Sequence, residues 1–244
     1  SLAEKGATKV IGGALSEEAG IDGQKILASN AAYEAGLSSA SQLGGKSWGI
    51  TQSGSSFHFM GAKIAKKEGL LLKYKPLQKV GAIIGALKSG QIDAWSIVPH
   101  IAKGLAKGGA VKIIGNVADY LPNYQVTSVF TSAANAAYER AKTEAFIAAF
   151  TKGAADFNAA LVDKTAGDAA AEDMVKLIHK YVYNTRPYEK AAPSIRNGAM
   201  RINSGAALNT TSIKEQLDWF KAEKLVKSSI NMDTLVDSSY VKTL

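Results

Sequence analysis

Gln52-Ser53-Gly54-Ser55-Ser56-Phe57-His58 is the strongest candidate in this chain for binding chemistry. The loop lies between a short apolar run, Lys46–Thr51, and a helical pattern that runs to Glu68 and stops at Gly69. A loop at the carboxyl end of a parallel strand is where open α/β sheets bind ligands. The first turn of the following helix exposes unpaired N–H groups and the positive end of the helix dipole. Gly54 lets the backbone approach a bound group, and Ser53, Ser55 and Ser56 add hydroxyl donors. The combination suits a carboxylate, sulfonate or phosphate. Ser53 or Ser55 also serves as a helix cap, which is compatible with binding. The spacing has neither the lysine of a phosphate-binding P-loop nor the three-glycine dinucleotide pattern, so nucleotides are not expected.

A second group is Trp95-Ser96-Ile97-Val98-Pro99-His100, at the end of a neighbouring strand. Trp95 either stacks on a planar or apolar ligand, with Ser96 beside it, or fills the core. His100 fits a surface helix position. Tyr120, Asn123, Tyr124 and Gln125 follow in a segment that returns the chain to its first lobe, where they line a cleft or pack a hinge. The candidate ligand-binding set is therefore Gln52, Ser53, Gly54, Ser55, Ser56, His58, Trp95, Ser96 and Tyr124.

Catalytic sets are poor. The chain has no cysteine and three histidines, His58, His100 and His179, without metal-ligand spacing. Ser53-Gly54-Ser55 does not form a nucleophile elbow, and the carboxylates are scattered. No catalytic residues, no metal and no cofactor are expected. The absence of cysteine fits an oxidising compartment.

The elements that position these residues alternate. Lys46–Thr51, Leu70–Tyr74, Ile92–Val98 and Val111–Ile114 read as strands. Helices lie between them: one ends at Gly69, one carries Val80, Ile83, Ile84 and Leu87 and stops at Gly90, and one opens at Pro99 and ends near Gly108-Gly109. This rhythm predicts a parallel sheet covered by helices, an α/β architecture. After an extended segment at Gln125–Thr131 the pattern is mainly helical. Phe146, Phe150, Phe157 and Leu161 share one face, and Met174, Leu177, Ile178, Tyr181 and Val182 form another apolar stripe; both read as core. Ser212-Ile213-Lys214-Glu215 reads as a capping box.

The 244 residues are 46% hydrophobic and 20% charged, an ordinary globular composition, and the net charge of +8 is spread along the chain. A basic stripe with interleaved aromatics, as in a nucleic-acid binder, does not occur, so nucleic acid is not an expected partner. No apolar run reaches the roughly 18 residues of a membrane span.

Leu2–Gly13 and Leu105–Asn116 align without gaps, with seven of twelve positions identical. This points to an internal duplication, and it implies that about sixty residues equivalent to those before the second copy belong upstream of Ser1. Two lobes follow: residues 1–41 (incomplete) and 126–244 in the first, 42–125 in the second, with two crossings forming a hinge and a ligand cleft between lobes.

Three stretches together resemble the ABC-type solute-binding proteins of the nitrate/sulfonate/taurine and thiamine-pyrimidine group. They are Gly36–Lys46 with its Leu43-Gly44-Gly45-Lys46 ending, Gly49–Ser56, and Ala86–Trp95 with Ala86-Leu87, Gly90 and Asp93-Ala94; Val236-Asp237 and Tyr240 close the likeness. The resemblance implies a type II periplasmic binding fold, two lobes with a hinge and an interlobe cleft. It implies capture of a small anionic or heteroaromatic solute for an ABC permease in the inner membrane, by a protein that is periplasmic, or extracellular and membrane-tethered, and monomeric when full length. It places the Gln52–Ser56 turn on the ligand's polar group and Trp95 near the cleft. A ligand-sensing effector domain of a regulator or receptor is the alternative on the same fold.

Overall fold

The structure, a computed structural model, describes residues 5–244. In chain order it contains β1 (Thr8–Gly13), β2 (Lys25–Ser29), α1 (Asn30–Glu34), β3 (Ser47–Ile50), α2 (Ser56–Glu68), β4 (Lys73–Pro76), α3 (Val80–Lys88), β5 (Ala94–Ile97), α4 (Pro99–Lys107) and β6 (Val111–Asn116). There follow β7 (Ser128–Ser132), α5 (Ala133–Tyr138), α6 (Arg140–Phe157), α7 (Gly167–Val182), α8 (Tyr188–Asn197), α9 (Thr210–Ala222) and α10 (Met232–Leu235). Contacts divide the chain into two units. The first comprises the segment ending at Glu17 with Asn123–Met174 and Met200–Leu244; the second comprises Glu18–Pro122 and Val175–Ala199. Residues 18–41, assigned to the first lobe by sequence, group with the second because β2 pairs with both β5 and β6. Residues 175–199 group there as well, with α8 packed on α4.

The second unit is a five-stranded sheet in the order β4-β3-β5-β2-β6. β3 runs parallel to β4 and β5, as the alternation of strands and helices predicts. β2 runs antiparallel to both β5 and β6, so the sheet is mixed rather than parallel throughout. Hydrophobic patterning does not distinguish the two directions, because a strand buried on both faces is apolar in either. Leu27, Ile83, Leu87, Trp95, Ile97 and Val111 form its core. The strand read at Leu70–Tyr74 begins at Lys73, because Gly69 is left-handed (φ +68°) and the Leu70 N–H closes the helix end on the Ala65 carbonyl at 2.8 Å.

In the first unit β1 and β7 form an antiparallel ribbon, and Ile11, Ile147 and Ala206 make its core. Two apolar stripes differ from the sequence reading. On α6 the buried face is Thr143, Ile147 and Ala154, and Phe146 is exposed, one residue round the helix from Ile147. On α7 Val175 is buried while Leu177, Tyr181 and Val182 are exposed. The cap of α9 is Asn209, which accepts from the Ser212 N–H at 2.9 Å. Ser212 is buried within the helix and its hydroxyl accepts the Gln125 N–H instead, so the expected box at Ser212 does not form.

The internal repeat is present in the backbone. The β1–β7 pairs Thr8/Ser132, Lys9/Thr131, Val10/Phe130, Gly12/Val129 and Gly13/Ser128 match, position for position, the β6–β2 pairs Val111/Ser29, Lys112/Ala28, Ile113/Leu27, Gly115/Ile26 and Asn116/Lys25. Each ribbon skips one equivalent residue, Ile11 or Ile114, as a β-bulge. The equivalent glycines Gly6 and Gly109 precede the strands at φ +64° and +70°. Each return strand ends in a serine, Ser29 or Ser132, whose side chain caps the next helix. Leu2, Ala3 and Glu4 of the sequence repeat lie outside the described residues.

Candidate functional site

The Gln52–Ser56 loop leaves β3 and enters α2. The Ser55 N–H donates to the Gln52 carbonyl at 3.1 Å, and Gly54 between them is left-handed at φ +79°, a conformation glycine adopts freely. Ser55 is the helix cap; its hydroxyl accepts the His58 N–H at 3.3 Å. The Gly54 N–H donates in turn to Nδ1 of His58 at 3.2 Å. His58 is buried with its ring edge against Tyr74, 4.3 Å between centroids. Gln52, Ser53 and Ser56 are exposed, and Gly54 and Ser55 are half-buried. Ser53, Ser55 and Ser56 thus ring a backbone turn at a helix start.

The neighbouring loop is bound to this one through the backbone. The Leu77 and Gln78 N–H groups donate to the carbonyls of Ile50 and Thr51, each at 2.8 Å. Gln78 holds φ at +64°, an unusual and costly conformation for a residue with a side chain. It leads into α3, whose cap Lys79 makes no side-chain capping bond. α4 begins beyond β5 at Pro99. Because β3, β4 and β5 are parallel, α2, α3 and α4 all start at one end of the sheet. The strand order reverses between β3 and β5, with β4 on one side of β3 and β5 on the other, and the crevice outside such a switch point is where doubly wound sheets bind ligands. The first turns of α2, α3 and α4 carry no acidic residue, so no side chain there offsets the positive dipole ends.

The other residues singled out by sequence lie deeper. Trp95 on β5 is 0% exposed, packed in the core, with its ring 5.2 Å from that of Phe57. Its indole N–H is buried without an acceptor. Ser96 is also fully buried and donates to Sδ of Met60 at 3.7 Å. Tyr124 belongs to the first unit and is 3% exposed; burial, with the nearby Glu17, pushes its phenol well above the usual range. The structure therefore brings Gln52, Ser53, Gly54, Ser55, Ser56 and His58 together, sets Trp95 and Ser96 in the core of the same unit, and encloses Tyr124 in the other. Tyr120 is tied by its hydroxyl to Oε1 of Glu68 at 2.6 Å; burial and that carboxylate push it up to about 12.

His100 is half-buried rather than a free surface residue. A Cβ on Gly198, beyond α8, would lie 2.8 Å from its Nδ1, so the ring fits against a position that only glycine leaves open. Sequence reading named Phe57, the half-buried ring that lies on Trp95, within the loop but left it out of the binding set, and it passed over Gln78, whose left-handed backbone carries no glycine signal. The spacing of Phe57 directly after Ser56 was the available clue. Among the described residues no group of three or more His, Cys, Asp or Glu is placed to hold a metal ion, and no helix is long and apolar enough to cross a membrane.

Solved structures share this fold. The ligand-binding component of an ABC-type import system from Staphylococcus aureus, solved with zinc bound, superposes with a TM-score of 0.70 at 14% identity, covering 98% of this chain and 76% of that one. The periplasmic aliphatic sulphonate binding protein SsuA from Escherichia coli gives 0.70 at 18% identity, covering 96% and 75%. A Candida albicans gene product described as having the generic periplasmic binding protein fold gives 0.64 at 13% identity, covering 98% and 76%. No curated protein matches by sequence. The fold is thus mixed α/β, of the periplasmic binding protein kind. The family profile described as NMT1/THI5 like matches residues 25–160, more than half of the sequence and the whole of the candidate loop, and the chain belongs to that family.

Proposed function

We propose that this chain is the solute-capturing component of an ABC importer, and that it binds a small organic anion through the Gln52–Ser56 loop. The observation that carries the proposal is a turn of small hydroxyl residues at the start of α2, on the switch point between β3 and β5. Around it three helix starts lack acidic first-turn residues. Backbone N–H groups at such a terminus, with serine hydroxyls beside them, favour a sulfonate or carboxylate. Membership of the NMT1/THI5-like family and the shared fold with ABC import components support a carrier. Its partners are the solute and a membrane permease, and it works in the periplasm or tethered outside the cell. Phe57, half-buried directly after Ser56 and packed on Trp95, offers an apolar surface near the turn for the solute's body.

A thermal-shift panel of methanesulfonate, taurine, nitrate, an aromatic carboxylate and a pyrimidine tests the proposal. At about a thousand times its dissociation constant, a true ligand stabilises the fold by roughly 4 kcal/mol. Stabilisation by one class, with the compound recovered unchanged, supports capture without turnover. A folded protein indifferent to every anion in the panel, or one that transforms the compound, sinks it.

A further inference from the structure

His58 sits three residues after the cap of α2, where a capping box normally carries a glutamate or glutamine. The pair of bonds is box-like, shifted by one residue: Ser55 accepts the His58 N–H, and the His58 side chain accepts the N–H of Gly54, the residue before the cap. An imidazole can play the acceptor only while Nδ1 is unprotonated, whereas both ring nitrogens of the cation are donors. The bond at 3.2 Å therefore places the proton of the neutral ring on Nε2. Resting on the proposed anion site, we infer that His58 is a positioning residue that locks the Gly54 turn in its binding shape, and that protonating His58 unlocks the turn and weakens anion binding.

The elements that pack most closely on α2 are poor in charge. α2 packs on β3, β5 and the turn Ala40–Gln42, and none of these carries an ionisable side chain. From β4 the ring meets Tyr74, while Lys73 and Lys75 flank Tyr74 on the alternate face of that strand. On α2 itself the nearest charged residue in sequence is Lys63, which lies over Phe59. A protonated His58 would donate where Gly54 also donates, and two donors facing each other at a buried position are costly. A cation would also stand at the positive end of α2.

The test uses the full chain, with methanesulfonate as the probe and calorimetry as the readout. Wild-type affinity is expected to fall about tenfold from about pH 7.5 to about pH 5.5, as one bond of this kind is lost. His58→Gln, which keeps an acceptor that does not titrate, retains the high-pH affinity at both values; His58→Leu binds weakly at both. The Gly54 amide resonance, followed across the same range without solute, shifts with the imidazole in wild type and stays still in His58→Gln. Affinity that is flat or rises in acid overturns the inference, a rise meaning that the imidazolium acts as a charge on the anion. If methanesulfonate does not bind, the Gly54 resonance decides the lock separately from the anion proposal: a titrating shift supports the lock, and a silent amide overturns it.

Discussion

Phe130 and Leu27 hold the same place in two copies of one bulged ribbon, yet Phe130 is 66% exposed and Leu27 is 0% exposed. The difference lies in what covers them. Leu27 pairs across to Trp95 on β5 and joins the core, whereas among the described residues β7 is bonded to β1 alone. Leu27→Ala should lower stability by about 2–5 kcal/mol, the range for emptying a packed site. Phe130→Ser should change it by less than about 1 kcal/mol. Urea denaturation separates the two.

Two glycines of the first unit should respond in opposite ways to alanine. At Gly13 a Cβ would stand 2.2 Å from the Ala207 carbonyl oxygen and 2.8 Å from Oε1 of Gln125. That amide is a node: its Oε1 accepts from Asn203 and Asn209, and its Nε2 donates to Leu15 and Thr127. Gly13→Ala should cost about 3 kcal/mol. Gly153, inside α6, has nothing within 4 Å of a Cβ, and Gly153→Ala should add roughly 0.5–1 kcal/mol. Thermal unfolding of both variants measures the contrast.

The serines of the loop divide their roles. Ser55→Ala removes the cap of α2 and should destabilise by about 1 kcal/mol. Ser56 is exposed in the first turn, so Ser56→Ala should leave folding unchanged. The double variant should bind its anion more than about tenfold more weakly, through lost hydroxyl donors. Calorimetry beside denaturation checks this; full affinity in the double variant removes the loop from the site.

Acid should weaken the second unit in two stages. Burial holds the His100 imidazole below its ordinary range, so the folded state binds its proton less readily than the unfolded chain. Its contribution is complete above the unfolded value, about 6.5, and is lost as pH falls below that. Burial alone would raise the Asp22 carboxyl, but hydrogen bonds and charge from Lys103 and Lys25 hold it below the usual range. Its contribution is present above about pH 3.9 and is lost as pH falls further through the folded value. Stability measured from neutrality downward should show one decline below about pH 6.5 and a further one below about pH 3.9. His100→Gln should reduce the first stage and Asp22→Asn the second.

Much of this architecture was legible in local sequence. Gly69, Gly90 and Pro99 mark helix ends and starts because they act on their own backbone, and each lies where its chemistry requires. The Gln52–Ser56 turn was legible for the same reason, since a strand, a left-handed glycine and a capping serine are consecutive. The repeat was legible because Gly6 and Gly109, and Ile11 and Ile114, keep their residue types. What tertiary structure alone decided is everything set by partners distant in sequence. It added β2, which the sequence reading did not identify, and ran it antiparallel to its neighbours, since hydrogen-bond direction leaves no mark on hydrophobicity. It exposed Phe146, Leu177 and Tyr181, since a helical stripe is buried only where another element meets it. It buried Trp95 behind Phe57, since burial depends on which ring arrives from α2. And it aimed His58 back at Gly54, because a side chain acquires its role as acceptor only when the fold brings a donor within reach.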